Sequence, residues 1–306
     1  MIDSAVVSRD LAQRLEAAER WASIRWLESW KRSHPSATSE FRAVCGIEAV
    51  FVDKAYPINQ MIGFGLDGHE VEARHLDEVE NFFSGHGVPS QIVLCPLAHP
   101  SLMKLLGERH YKITEFNNVL YRSLCSDDRF ELDTRGYELK KIDAQDIDAA
   151  AEVQVKAFFG EATSGPATPP TSDAAPPTVA GGSADGQPDS GGAPESFLDF
   201  GRASFHMHDS LAYCAIVDGK IVASTTGVLI REHRLVALAG SATLPEYRRR
   251  GMQLAFLAQR LNDASAAGCD LAFIGSAPGS STERNAARLG FRLAYTKVVM
   301  VRELDR

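Results

Sequence analysis

Leu11, Leu15, Ala18, Ala22, Trp26 and Trp30 recur at helical spacing. They predict an amphipathic helix over residues 9–31 whose apolar face packs on a sheet. A strand over 43–52 follows, then a helix over 75–83, a short strand over 91–95, a helix over 100–106 and a strand running through Tyr121. The second half of the chain repeats this succession more clearly. It predicts a strand over 137–142, helices over 144–159 and 195–208, and strands near 211–218, 221–231 and 234–243. Val217-Asp218-Gly219-Lys220 places Asp-Gly between two apolar runs, the signature of a tight hairpin. Leu254, Leu257, Ala258, Leu261 and Ala264 then share one helical face, and Gly268 ends that helix. A buried strand over 270–275, a helix over 281–289 and a strand over 292–301 complete the pattern. Strands alternating with helices after an antiparallel meander predict an α/β class with a mixed sheet, helices lying on both faces.

Residues 162–194 break the pattern. They hold half of the chain's fourteen prolines, together with Gly, Ser, Thr and Ala, and show no apolar periodicity. Such a segment cannot bury enough surface to offset its ordering entropy, and disorder is expected. It separates the two helices of the second half, as either a tolerated surface insertion or a lid. The 306 residues suggest about two domains, assigned here to 1–130 and 131–306.

Candidate chemistry concentrates at residues 244–254, Leu-Pro-Glu-Tyr-Arg-Arg-Arg-Gly-Met-Gln-Leu, between a predicted strand and a predicted helix. Free N–H groups and the macrodipole at a helix start bind phosphate, and a glycine lets the backbone approach it. No Walker loop is present, and the loop has no Gly-x-Gly-x-x-Gly. That spelling does occur at Gly63-Phe-Gly-Leu-Asp-Gly68, but without a convincing strand before it or a clean helix start after it. An exposed basic turn capping a helix is the plainer alternative for 244–254.

Arg248-x-x-Gly251-x-Gln253, followed at 285–291 by Asn-Ala-Ala-Arg-Leu-Gly-Phe, resembles the two signatures of the GNAT superfamily of acyl-CoA-dependent N-acyltransferases. Gln253 stands where that family most often has Gly or Ala. The resemblance covers about 137–303. The fainter first half, which lacks the phosphate loop, looks like a degenerate second lobe of a tandem GNAT protein. The resemblance implies two GNAT-like lobes, each a mixed central sheet flanked by helices. It implies acetyl-CoA as cosubstrate and direct transfer of acetyl to a primary amine. Arg248, Arg249, Arg250, Gly251, Met252 and Gln253 would hold the pyrophosphate. Ala242, Thr243 and Leu244 would line a gap opened by a strand bulge and pair with the pantetheine, and Ser281 and Asn285 would touch the CoA arm.

Two departures bear on catalysis. The strand 236–243 has no acid where many members carry a Glu base, so the base is unassigned. Ala286 occupies the position of the usual Tyr acid, leaving Tyr295 as the candidate acid. Glu246 reads as a solvated turn residue.

Composition narrows the class. With 44% hydrophobic and 24% charged residues the chain is of ordinary globular type, and no apolar run is long enough to span a membrane. No signal-peptide core opens the chain. Five scattered cysteines without a C-x-x-C pair fit free thiols in a reducing cytoplasm. The net charge of −8 argues against nucleic acid and mildly favours cationic amines. His206 and His208 lack further ligands, so no metal is expected. A small-molecule amine is the expected acceptor, with a protein N-terminus or lysine as the alternative; oligomeric state is not encoded in these patterns. The rival class is a GNAT-fold module that binds CoA or a partner without catalysis.

Overall fold

The computed structural model describes residues 7–54, 56, 58–159 and 193–304. The segment expected to be disordered lies outside these, except that a helix already begins at Ala193.

The first half holds α1 (Arg9–Ser33), β1 (Glu40–Val44), β2 (Ile47–Phe51), β3 (Gln60–Ile62), α2 (Ala73–Gly85), β4 (Ser90–Leu94), α3 (Pro100–Glu108) and β5 (Lys112–Ser123). The second half holds β6 (Glu138–Lys141), α4 (Ile147–Phe159), α5 (Ala193–Phe205), β7 (Tyr213–Val217), β8 (Lys220–Ile230) and β9 (Leu235–Thr243). It ends with α6 (Met252–Ala266), β10 (Leu271–Ser276), α7 (Ser281–Arg288) and β11 (Arg292–Arg302).

Local chemistry explains several boundaries. The Ser8 side chain caps α1 by accepting from the Leu11 amide. Asp218 and Gly219 both take positive φ in the β7–β8 turn, as the Asp-Gly signal requires. The single strand expected over 43–52 is instead a hairpin. Cys45 (φ 52°) and Gly46 (φ 79°) form the same kind of two-residue turn between Val44 and Ile47. A cysteine is not a usual residue for that turn, so the apolar run hid the break. The three-residue β3 is too short to leave a pattern.

All strands join one 11-stranded sheet, in the order β1-β2-β3-β4-β11-β5-β10-β9-β8-β7-β6. The two mixed sheets expected for the lobes therefore run together. Each half makes one parallel pair, β3 with β4 and β9 with β10, with α2 and α6 as the respective crossovers. The closing strands are exchanged. β11, last in the chain, lies between β4 and β5, pairing Val298 with Leu94 and Arg292 with Tyr121. β5 in turn pairs with β10, from Leu271–Ser123 to Ser276–Asn118.

The sheet's period of two divides the core. Leu235, Ala237, Leu271 and Phe273 pack with Leu11, Leu15 and Ala18 of α1. Val236, Leu238, Ala272 and Ile274 pack with Leu257 and Leu261 of α6. The N-terminal helix thus covers the sheet of the second half. Trp26 of α1 stacks on Phe200 of α5 at 4.8 Å and donates from Nε1 to the Phe200 carbonyl at 3.2 Å.

Candidate active site

The pairing of β9 with β10 stops early. Its last partners are Ala237 and Phe273, although β9 runs on to Thr243 and β10 to Ser276. The cause lies on the other edge of β9. Ser224 faces Ala242 while Thr226 faces Ala239, so Gly240 and Ser241 together oppose Thr225 in a bulge. Gly240 has φ 59°, and a Cβ there would lie 2.6 Å from Thr226 Cγ2. The bulge bends β9 away from β10 and opens a gap between them.

Buried donors hold this geometry. Gln154 of α4 donates from Nε2 to the Gly240 carbonyl at 3.0 Å. Arg260 of α6, 1% exposed, donates to the carbonyls of Ala239 (3.0 Å), Phe256 (3.1 Å) and Thr226, and to Ser241 Oγ at 3.3 Å. Burial lowers the Arg260 guanidinium to about 9, which still leaves it charged at neutral pH.

Beyond the gap, Pro245–Tyr247 makes one 3-10 turn and the loop enters α6. Arg249 (φ 65°) and Gly251 (φ 80°) both take left-handed backbone, and Gly251 is the N-cap of α6. A Cβ on Gly251 would meet nothing within 4 Å, so the glycine faces open space at the helix start. Arg248 turns inward, donating to the carbonyls of Thr243 and Ala157, each at 3.3 Å. Arg249 and Arg250 are exposed, with the Arg250 guanidinium 5.1 Å from the centre of the Tyr247 ring. Met252 is buried core. Gln253 Oε1 accepts from Asn285 Nδ2 at 3.2 Å, tying α7 to the start of α6. Ser281 opens α7 behind Ser280, the residue whose hydroxyl caps the helix.

The three gap residues differ. The Leu244 amide is spent on the Val222 carbonyl at 3.0 Å. Antiparallel ladders alternate bonded and non-bonded pairs, which turns the Thr243 amide away from β8, toward the gap. Thr243 Oγ1 is buried without a partner, whereas Ala242 is paired with Ser224. An open helix N-terminus with exposed arginines, reached along a strand edge that holds an orphaned hydroxyl, suits an extended ligand ending in phosphates.

Neither the family models nor the curated proteins contain a match to this chain. Solved structures do. A GCN5-related N-acetyltransferase from Kribbella flavida superposes with TM-score 0.62 at 17% identity, over 97% of this chain and 96% of its own. A tandem GNAT protein from the clavulanic acid biosynthesis pathway gives TM-score 0.55 at 11% identity, over 94% and 96%. A putative GNAT-family acetyltransferase from Novosphingobium aromaticivorans gives 0.50 at 14%, over 95% and 99%.

The chain has the tandem GNAT fold.

Within this tandem GNAT frame, a narrow cavity of about 40 Å³ opens where β9 and β10 part. Glu19, Ala22 and Trp26 of α1 line it, with Phe200 of α5 and with Gly240 and Gly275 at the edges of the gap. Tyr295, the acid candidate, lies on the α1 face of the sheet at 7% exposure, and its hydroxyl donates to Glu16 Oε1 at 2.8 Å. Burial, reinforced by Glu16 and Cys95, holds that phenol well above its ordinary range. Tyr295 is therefore part of a buried polar cluster and does not join the cofactor loop.

That cluster is what sequence reading missed. Lys297 of β11, fully buried, contacts Glu16 at 3.2 Å and Glu19 more closely. Burial pushes the Glu19 carboxyl up, Lys297 pulls it down and Glu16 raises it again, leaving it at about 7. Burial would lower Lys297, but the two glutamates together keep it raised and charged. Glu16 and Glu19 sit beside Leu15 and Ala18 on the apolar stripe of α1, and two carboxylates three apart on such a stripe were the available signal. A glycine inside a strand, Gly240, was the signal for the bulge. Among the described residues no three His, Cys, Asp or Glu side chains stand together as a metal site, and no helix is long and apolar enough to cross a membrane.

Proposed function

We propose that this protein is an N-acetyltransferase that moves acetyl from acetyl-CoA to a primary amine of a small molecule by direct attack. The gap between β9 and β10, leading straight to the N-terminus of α6, is the observation that carries this reading. Acetyl-CoA supplies an acyl group activated as a thioester. The amides from Arg249 to Gln253 take the pyrophosphate, with Arg249 and Arg250 adding charge from the surface. The Thr243 amide and the orphaned Thr243 Oγ1 are free to meet the pantetheine arm, while Leu244 and Ala242 fix the strand edge. Asn285 holds Gln253 in place, and Ser281 lies on the same side. Tyr295 acts in this reading through Glu16, by keeping that carboxylate oriented.

The cavity supports a small acceptor over a protein one, because α1 and α5 roof it. A site in a reducing cytoplasm accords with five free cysteines, three of them buried. A non-catalytic CoA-binding module remains the second reading, favoured by the absence of an acid in 236–243 and by Ala286 in place of a Tyr. Calorimetry with acetyl-CoA separates these from a scaffold. Micromolar binding that disappears in Gly251→Glu supports the cofactor site, and no binding to the unaltered protein removes both readings.

A further inference from the structure

The cavity beside the gap is one partner short. Glu19 is 1% exposed and lines it, yet Glu19 Oε1 has no hydrogen-bond partner, while Oε2 is taken by Lys297 Nζ. Glu16 is better served: it accepts from both Lys297 Nζ and the Tyr295 hydroxyl. Glu115 of β5 adds a third, half-buried carboxyl on the same face. One ammonium, that of Lys297, thus serves both Glu16 and Glu19. An unpaired carboxylate oxygen out of water is costly unless a cation or donor meets it.

The remaining walls state what kind of cation fits. Ala22, Trp26, Phe200, Met207, Val228 and Phe273 are apolar, and the polar residues among them, Gln154, Ser204 and Thr226, spend their side-chain donors on protein carbonyls. A volume of about 40 Å³ holds roughly three water-sized positions, enough for an aminomethyl head and tighter for a branched or substituted one. Gly240 and Gly275 border the same space, so that head lies at the gap where the thioester is proposed to enter.

Resting on the acyl-transfer reading above, we infer that Glu19 of the N-terminal helix receives the acceptor's ammonium and takes its proton, and that the acceptor is an unhindered primary amine on an apolar carbon chain. The first half of the chain thereby supplies the base that the strand 236–243 lacks. The ammonium gives one proton to Glu19, and the neutral nitrogen attacks the thioester carbon. The C–N bond forms, the C–S bond breaks, and the nitrogen's second proton passes to the departing thiolate. Glu19 then returns its proton to solvent. A carboxyl at about 7 is matched to this task at neutral pH. The groups that set that value are Lys297 from β11, Glu115 from β5 and Glu16 on its own helix, while Tyr295 from β11 and Cys95 after β4 lie against Glu16.

The test follows CoA thiol release with n-butylamine, phenethylamine and N-methylphenethylamine, alongside calorimetry of acetyl-CoA on the same proteins. The unaltered protein is expected to acetylate the two primary amines and not the secondary one, with kcat/KM rising through a midpoint near pH 7. Glu19→Gln is expected to bind acetyl-CoA normally, to lose that rise, and to fall by about 10²- to 10⁴-fold, the usual worth of a general base. Wild-type rate and pH profile in Glu19→Gln overturn the inference. Acetyl-CoA binding without turnover of either primary amine overturns it and leaves the cofactor site standing, whereas no acetyl-CoA binding overturns both. If Glu19→Gln fails to fold, Lys297→Met answers the question: loss of the neighbouring cation moves the midpoint upward, and an unmoved midpoint counts against Glu19.

Discussion

Arg260 donates from Nη1 to the carbonyl oxygen of Ala239 at 3.0 Å, at the residue where β9 leaves its regular ladder. The next carbonyl, that of Gly240, is held from α4 by Gln154. Two consecutive carbonyls of the bulge are thus fixed by side chains from different helices, and the gap exists before any ligand arrives. Arg260→Leu strips donors from the carbonyls of Ala239 and Thr226 and from the Ser241 hydroxyl. Thr225 Oγ1 still reaches the Ala239 carbonyl at 3.4 Å and the Ser241 hydroxyl at 2.6 Å, so the Thr226 carbonyl bears the main loss, and at about 1–3 kcal/mol for a buried group left unpaired the protein is expected to lose about that much. Urea denaturation measures it, and stability within about 0.5 kcal/mol of the unaltered protein would show that the bulge does not depend on Arg260.

The bulge glycine and the loop glycine are expected to behave differently. Gly240→Ala meets both a left-handed backbone and a Cβ 2.6 Å from Thr226 Cγ2. Left-handed φ costs about 1–2 kcal/mol and overpacking about 1–3, so stability and acetyl-CoA binding should fall together. Gly251→Ala carries only the backbone strain, about 1 kcal/mol, because its Cβ meets no protein atom. Its loss should appear mainly in acetyl-CoA affinity. Denaturation curves and calorimetry on the pair distinguish the cases, and equal stability losses would contradict the geometry.

How much of this was legible in the chain depends on the range of the cause. The loop at 248–253, the Gly268 stop and the Asp218-Gly219 hairpin are local devices, and each appears where its residues stand. The amphipathic face of α1 was equally clear, but its partner was not. Nothing near residues 9–33 says that Leu11 and Leu15 pack on Leu235 and Leu271. The exchange of β5 and β11 is invisible for the same reason, since both read as ordinary closing strands and only pairing decides their neighbours. The Glu16–Glu19–Lys297 cluster joins residues about 280 positions apart in sequence, so a carboxylate pair on α1 has no visible counter-ion. Tyr295 stands out by residue type alone, whereas its setting is fixed by Glu16 from the other end of the chain.

The exchange has a consequence for dissection. Residues 1–130 alone would keep β4 and β5 but lose β11 from between them, and α1 would expose the face it buries on β8, β9 and β10. Residues 131–306 alone would leave β10 without β5 and β11 without either neighbour. Each fragment is expected to be unfolded or aggregated, and the full chain to unfold in a single transition. Circular dichroism melts of the fragments and the full chain check this; two separate transitions in the full chain would mean that the lobes hold together independently.

Glu19 makes stability depend on pH in a direction opposite to that of ordinary paired carboxylates. Its carboxyl stands at about 7 in the folded protein, above the ordinary 4.5, mainly because burial disfavours the charged form. The folded state therefore keeps a proton that the unfolded chain releases, and the unfolded chain binds fewer protons between those values. By linkage, this group's contribution is fully present below pH 4.5, declines as pH rises, and is gone once pH passes about 7. Other carboxylates gain stability over part of that range, so the informative quantity is the difference between the protein and Glu19→Gln. The stability of the unaltered protein minus that of the variant is expected to fall between pH 4.5 and 7 and to level off above it. Urea midpoints collected across pH 4 to 8 give that difference directly. A flat difference would place the Glu19 proton elsewhere, and a rising one would mean that Lys297 dominates and holds the carboxylate charged.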